Sequence, residues 1–90
     1  MSNQVTDHNF RQVTKMTDKR PTLKEAQAIV GGLVQFVELL PELTEDQPMQ
    51  MLVNEEGILL ELGYNETASL MTGQHIFGPA LVLTGQAMWD

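Results

Sequence analysis

The apolar positions of the chain fall into short runs separated by polar, glycine and proline punctuation, and each run has its own period. Leu23, Ala26, Ile29 and Val30 recur at three- and four-residue spacing, so one helical face carries them. Thr22 precedes that stretch and Glu25 follows three residues later, the capping-box arrangement that satisfies orphan amides at a helix start. A helix is therefore predicted from just after Pro21 to about Val30, where Gly31-Gly32 offers the left-handed freedom of a stop. The next run, Leu33 to Leu40, fits two periods. Ile29, Leu33, Val37 and Leu40 would continue a helical stripe, at a cost of about 1 kcal/mol for each enclosed glycine. That cost, and the extended preference of Val34, Phe36 and Val37, favours a strand that Pro41 ends. Its apolar residues would face both ways, which suits a central strand or an oligomer interface.

Residues 42–48 read as an acidic loop closed by Pro48. Met49, Met51 and Val53 then alternate, as do Ile58, Leu60 and Leu62, which predicts a hairpin turning at Asn54-Glu55-Glu56-Gly57. Asn65 is placed to cap a short helix with Glu66 in its first turn, Ala68, Leu70 and Met71 available for burial, and Gly73 as its stop. Ile76 to Leu83 reads as a last strand in which Pro79 demands an edge position or a bulge. Ahead of all this, residues 1–20 are polar. Phe10, Val13 and Met16 supply one weak amphipathic turn, so a flexible basic arm is expected there. The predicted fold is α+β: a small four-stranded, mainly antiparallel sheet with two short helices on one face. Its order is α-β-β-β-α-β, within a single domain over residues 21–90.

Four blocks occur in order along the chain: Val30-Gly31-Gly32 before an apolar strand, Leu52-Val53-Asn54-Glu55-Glu56-Gly57, Leu62-Gly63-Tyr64-Asn65 leading into Thr67-Ala68-Ser69, and Ile76-Phe77-Gly78-Pro79-Ala80-Leu81-Val82-Leu83. Through these blocks residues 22–85 resemble a family of small uncharacterised domains of unknown function from bacteriophages and mobile elements. It implies a phage-like origin and the α+β reading, and brings no catalytic residues. The basic arm and the acidic loop at 42–48 look like additions to the family core.

Composition narrows the function. With 90 residues, 42% of them hydrophobic, the chain can close one small core. The absence of cysteine excludes a disulfide scaffold, thiolate zinc sites and thiol catalysis. No apolar run approaches the roughly 18–20 residues that span a bilayer, and the N-terminus carries no secretory apolar segment, so the expected location is the host cell cytoplasm. Charge is strongly segregated. All five bases (Arg11, Lys15, Lys19, Arg20, Lys24) lie in the first 24 residues, whereas residues 25–90 hold ten acids and no base. Such a body lacks the cations for its own salt bridges and is ill-suited to binding nucleic acid, whose affinity comes mainly from neutralising phosphates. The carboxylates are expected to serve solubility or to meet a basic partner.

Candidate chemistry is sparse. His75 with Glu61 or Glu66 has no metal-ligand spacing, and Glu55-Glu56 falls at an expected turn in solvent, not in a pocket that would separate two pKa values. The glycine pair follows a helix, the wrong order for a phosphate cradle. Met49, Met51 and Met71 are expected in the core. Neither an enzyme nor a cofactor or metal site is expected. The leading expectation is a phage-encoded protein that binds and inhibits a host protein with a basic surface, such as a nucleic-acid-binding or defence protein. Its contacts would be Glu38, Glu42, Glu45, Asp46, Glu55, Glu56, Glu61 and Glu66, with Trp89 as an apolar anchor; DNA mimicry is the stronger form. The alternatives are an oligomeric binder of a nucleotide signal that uses the basic arm, and an assembly component in which one copy's arm lies on the next copy's acidic body.

Overall fold

The computed structural model describes residues 12–89. Among the described residues, four strands form one mixed sheet: β1 (Thr14–Thr17), β2 (Val34–Val37), β3 (Met49–Asn54) and β4 (Ala80–Thr84), in the spatial order β1-β4-β3-β2. The β2–β3 and β3–β4 pairs are antiparallel, and β1 runs parallel to β4. Among the described residues, the helices that connect them are α1 (Leu23–Val30), the single turn α2 (Pro41–Thr44) and α3 (Glu66–Thr72). A 3₁₀ turn at Gly85–Ala87 follows β4. The fold is α+β, as its sequence predicts, with one parallel pair beside the antiparallel ones.

The helix ends follow local chemistry. Thr22 and Glu25 form the expected capping box, with Glu25 N–H donating to Thr22 Oγ1 at 3.0 Å and Thr22 N–H to Glu25 Oε1 at 2.9 Å. Gly31 ends α1 at φ 86°, and Gly73 ends α3 at φ 73°, both in the left-handed region that glycine adopts without a Cβ penalty. Asn65 caps α3 by accepting from Ala68 N–H at 3.0 Å. That side chain is also a three-way tie. Its Oδ1 takes the Thr14 hydroxyl of β1 at 3.0 Å, and its Nδ2 donates to the Gly78 carbonyl at 2.9 Å.

The core has two layers, one on each face of the sheet. On one face, Ala26 of α1 packs with Leu52, Leu81, Leu83 and Ala87. On the other, Ala68 of α3 packs with Met51, Val53, Ile76, Ala80 and Val82, supported by Met49 and Met71. Each large aliphatic side chain buried this way contributes roughly 1.5–3 kcal/mol. The helices therefore cover opposite faces, not the single face expected, because β3 and β4 are apolar on both sides and need two covers.

Four further expectations are corrected. Thr14–Thr17 lies within the span read as a flexible arm, yet forms an edge strand against β4, with Ala80 N–H donating to the Val13 carbonyl at 3.0 Å. The rest of that arm, residues 1–11, falls outside the described residues. The second hairpin strand at Ile58–Leu62 does not form; β3 pairs with β4 instead, and residues 55–61 make a compact helical turn. The cause is competition for the central slot: every residue of β4 is buried, so it gains more beside β3 than a half-polar hairpin arm would. Pro79 lies just ahead of β4, which is central and not an edge. Conversely β2, with its apolar residues on both faces, is an edge strand.

Candidate protein-binding site

The turn between β3 and α3 is built from Asn54 outward. Asn54 is 4% exposed; its Oδ1 accepts from Glu56 N–H at 2.7 Å while its Nδ2 donates to the Val30 carbonyl at the end of α1, 3.1 Å away. This Asx turn starts a helical coil in which Leu60 N–H donates to the Glu56 carbonyl at 2.8 Å and Leu62 N–H to that of Gly57 at 2.9 Å. Gly57 is required by proximity. A Cβ there would stand 2.2 Å from the Phe77 carbonyl oxygen. The coil is thereby clamped to residues 77–78, and Gly78 N–H closes it by donating to the Gly63 carbonyl at 2.8 Å.

The consequence is an apolar knob. Ile58, Leu59 and Leu60 are 72%, 76% and 49% exposed, three consecutive aliphatic side chains held into solvent by a hydrogen-bonded turn. Glu55 and Glu61 are exposed beside them, and Glu56 is half-buried. Next to the knob, a cleft of about 400 Å³ is lined by Gln35 and Val37 of β2, by Glu55, Glu56 and Ile58, and by His75. His75 lies against the Tyr64 ring at 5.9 Å and shares no hydrogen bond with Glu55 or Glu56. No three His, Asp or Glu side chains converge as a metal site among the described residues. An apolar centre rimmed by charge is the anatomy of a protein interface.

The carboxylates named from sequence do not form one patch. Glu38, Glu42, Glu45 and Asp46 gather where the chain passes from β2 to β3, all exposed. Glu55, Glu56 and Glu61 stand at the other end of β3, and Glu66 opens α3. At a rise of ~3.3 Å per residue, the six-residue β3 separates the two groups by about 17 Å, roughly twice the physiological Debye length of ~8 Å. They act as two separate fields.

Residues 5–88 match the family model described as a domain of unknown function, DUF3846. The chain belongs to the DUF3846 family. Nothing among curated proteins or solved structures matches it.

Two features of this DUF3846 domain depart from the sequence expectation. The alternation of Ile58, Leu60 and Leu62 predicts a strand, although Ile58, Leu59 and Leu60 are three consecutive large aliphatics, a run that breaks strict alternation and is the available signal for the knob. The bases of the expected arm also have a structural setting. Lys15, Lys19 and Arg20 line a groove of about 560 Å³ between β1 and α1 whose floor includes Ile29 and Leu81. Trp89 is half-buried: its ring meets Phe36 edge-on at 5.8 Å, its Nε1 donates to the Pro21 carbonyl at 3.2 Å, and its backbone is paired with the Gln50 side chain. It props the exposed Phe36 beside the outer edge of β2.

Among the described residues, no helix is long and apolar enough to cross a membrane.

Proposed function

We propose that this protein is a small, non-enzymatic, phage-encoded module that docks onto a host protein and inhibits it, through the Ile58–Leu60 knob and its carboxylate rim. The observation that carries this reading is the rigid presentation of three consecutive aliphatic side chains to solvent. Full burial of an exposed aliphatic side chain recovers roughly 1.5–3 kcal/mol, so a partner that covers Ile58 and Leu59 gains most of that for each and less for Leu60, which is 49% exposed, whereas leaving them in water gains the fold nothing. Glu55, Glu56 and Glu61 around them select a partner surface bearing Lys or Arg and speed encounter with it. Support comes from this rimmed knob and not from a phosphate-like ladder, since the carboxylates stand in two separated groups.

The test is affinity capture from bacterial host lysate at low and high salt, comparing the wild-type chain with three double variants. Ile58→Ser with Leu59→Ser removes the knob, Glu55→Lys with Glu56→Lys reverses its rim, and Glu42→Lys with Glu45→Lys reverses the far end. A specific partner lost with the first two and retained by the third supports the reading. A retained set identical for all four proteins refutes it.

A second reading rests on the groove beside β1. Lys15, Lys19 and Arg20 over an apolar floor would suit an anionic ligand with an apolar portion, such as a cyclic nucleotide. Calorimetry with cyclic nucleotides on the wild type and on Lys15→Glu with Lys19→Glu decides it; heat in the wild type alone supports it, and no heat in either removes it.

A further inference from the structure

The outer edge of β2 is chemically specified. Glu55 N–H donates to the Leu33 carbonyl at 2.8 Å, a bond between directly opposed residues, since the register runs Val34 to Asn54 and Phe36 to Leu52. In an antiparallel ladder such pairs recur at every second residue, so Gln35 and Val37 aim their backbone groups at β3. The N–H and C=O groups of Val34 and Phe36 therefore point away from the sheet, and no strand among the described residues pairs with them. The opposite edge, β1, carries Lys15, the kind of charge that blunts an edge against pairing. β2 carries no such guard.

Two recesses flank this edge. The 400 Å³ cleft takes in Gln35 and Val37 on the α3 face, and a groove of about 500 Å³ at the far end of the strand is lined by Phe36, Val37, Glu38, Leu39, Pro41 and Met49. The two carboxylate groups, too far apart for one compact contact, lie at the two ends of this same strand: Glu55 and Glu56 next to Val34, and Glu38, Glu42, Glu45 and Asp46 beyond Val37. A segment laid along β2 would reach both.

We propose, on the basis of the protein-binding reading above, that β2 captures an extended segment of the partner as a fifth strand. That segment carries Lys or Arg at each end and β-branched or aromatic residues between them. Main-chain hydrogen bonds to Val34 and Phe36 supply the pairing, the two recesses along the strand receive side chains of the segment, and the carboxylates fix the ends. At ~3.3 Å per residue the cationic positions lie about five or six residues apart.

The experiment uses the full chain and a synthetic peptide, acetyl-Lys-Arg-Val-Thr-Val-Thr-Lys-Arg-amide. It is accompanied by two forms N-methylated on alternate central residues, one form for each parity. Binding is followed by fluorescence anisotropy in low salt and by amide exchange. The expected result is that the unmodified peptide binds, that methylation of one parity weakens it by at least about tenfold while the other parity has little effect, and that the Val34 and Phe36 amides become protected. No binding of the unmodified peptide up to about 1 mM overturns the proposal. So does binding that tolerates methylation of both parities. If such methyl-tolerant binding is still abolished by Glu55→Lys with Glu56→Lys, edge pairing fails while the acidic docking reading stands; if it survives those substitutions too, both fail.

Discussion

Replacing Asn54 with alanine is the sharpest test of how the knob is held. The side chain engages both of its polar atoms, the buried Val30 carbonyl through Nδ2 and the half-buried Glu56 amide through Oδ1. Two such hydrogen bonds contribute about 0.5–1.5 kcal/mol each, and the Val30 carbonyl, left unsatisfied in a buried site, adds a desolvation penalty of about 1–3 kcal/mol. The Glu56 amide lies nearer solvent and finds water. The expected loss is therefore about 3 kcal/mol, a fall in Tm on the order of 12–24 °C for a domain of this size. Urea denaturation measures it, with an unchanged m-value showing that the unfolded ensemble is unaltered. Asn54→Asp is the companion. It keeps the acceptor for Glu56 but sets a carboxylate oxygen against the Val30 carbonyl, so it should destabilise at least as much as alanine while the Glu56 amide stays protected from exchange. A loss below about 0.5 kcal/mol for Asn54→Ala would show that this side chain is not the pin described.

Gly57→Ala forces a Cβ to within 2.2 Å of the Phe77 carbonyl oxygen, which is backbone and yields poorly; about 3 kcal/mol should be lost in thermal unfolding, and a near-neutral result would refute the close approach. Asn65→Ala removes the α3 cap and the ties to Thr14 and Gly78 together, so a loss of about 3 kcal/mol is expected by denaturant titration, with faster amide exchange in β1. Glu61 sits at φ 58°, where a non-glycine residue is strained, so Glu61→Gly should stabilise by about 0.5 kcal/mol after the entropy cost of glycine is subtracted; destabilisation beyond about 1 kcal/mol would contradict that geometry. Leu59→Ser, by contrast, should leave stability within about 0.5 kcal/mol in the same titration, because the side chain is 76% exposed, and a large loss would mean that the knob belongs to the core.

What could be read along the chain was whatever neighbouring residues decide among themselves. The capping box at Thr22 and Glu25, the Asn65 cap, and the glycine stops at 31 and 73 act over three or four residues, and each appears where the sequence places it. The segregation of charge was equally legible, because it is a property of composition. Strand partnership was not. Met49 to Asn54 has the same alternation whether its neighbour is the segment after the turn or a strand 25 residues downstream, and only burial on both faces of Ala80–Thr84 settles the choice. Once β4 takes the central place, residues 58–62 are released from the sheet, and the apolar residues that alternation would have hidden become the exposed knob. The same choice leaves β2 on an edge, brings Thr14–Thr17 in as the other, and divides the carboxylates between the two ends of β3. Local hydrogen bonding and charge are short-range and survive reading one residue at a time; the pairing of strands depends on which distant segment can bury most surface, and that competition is resolved only in three dimensions.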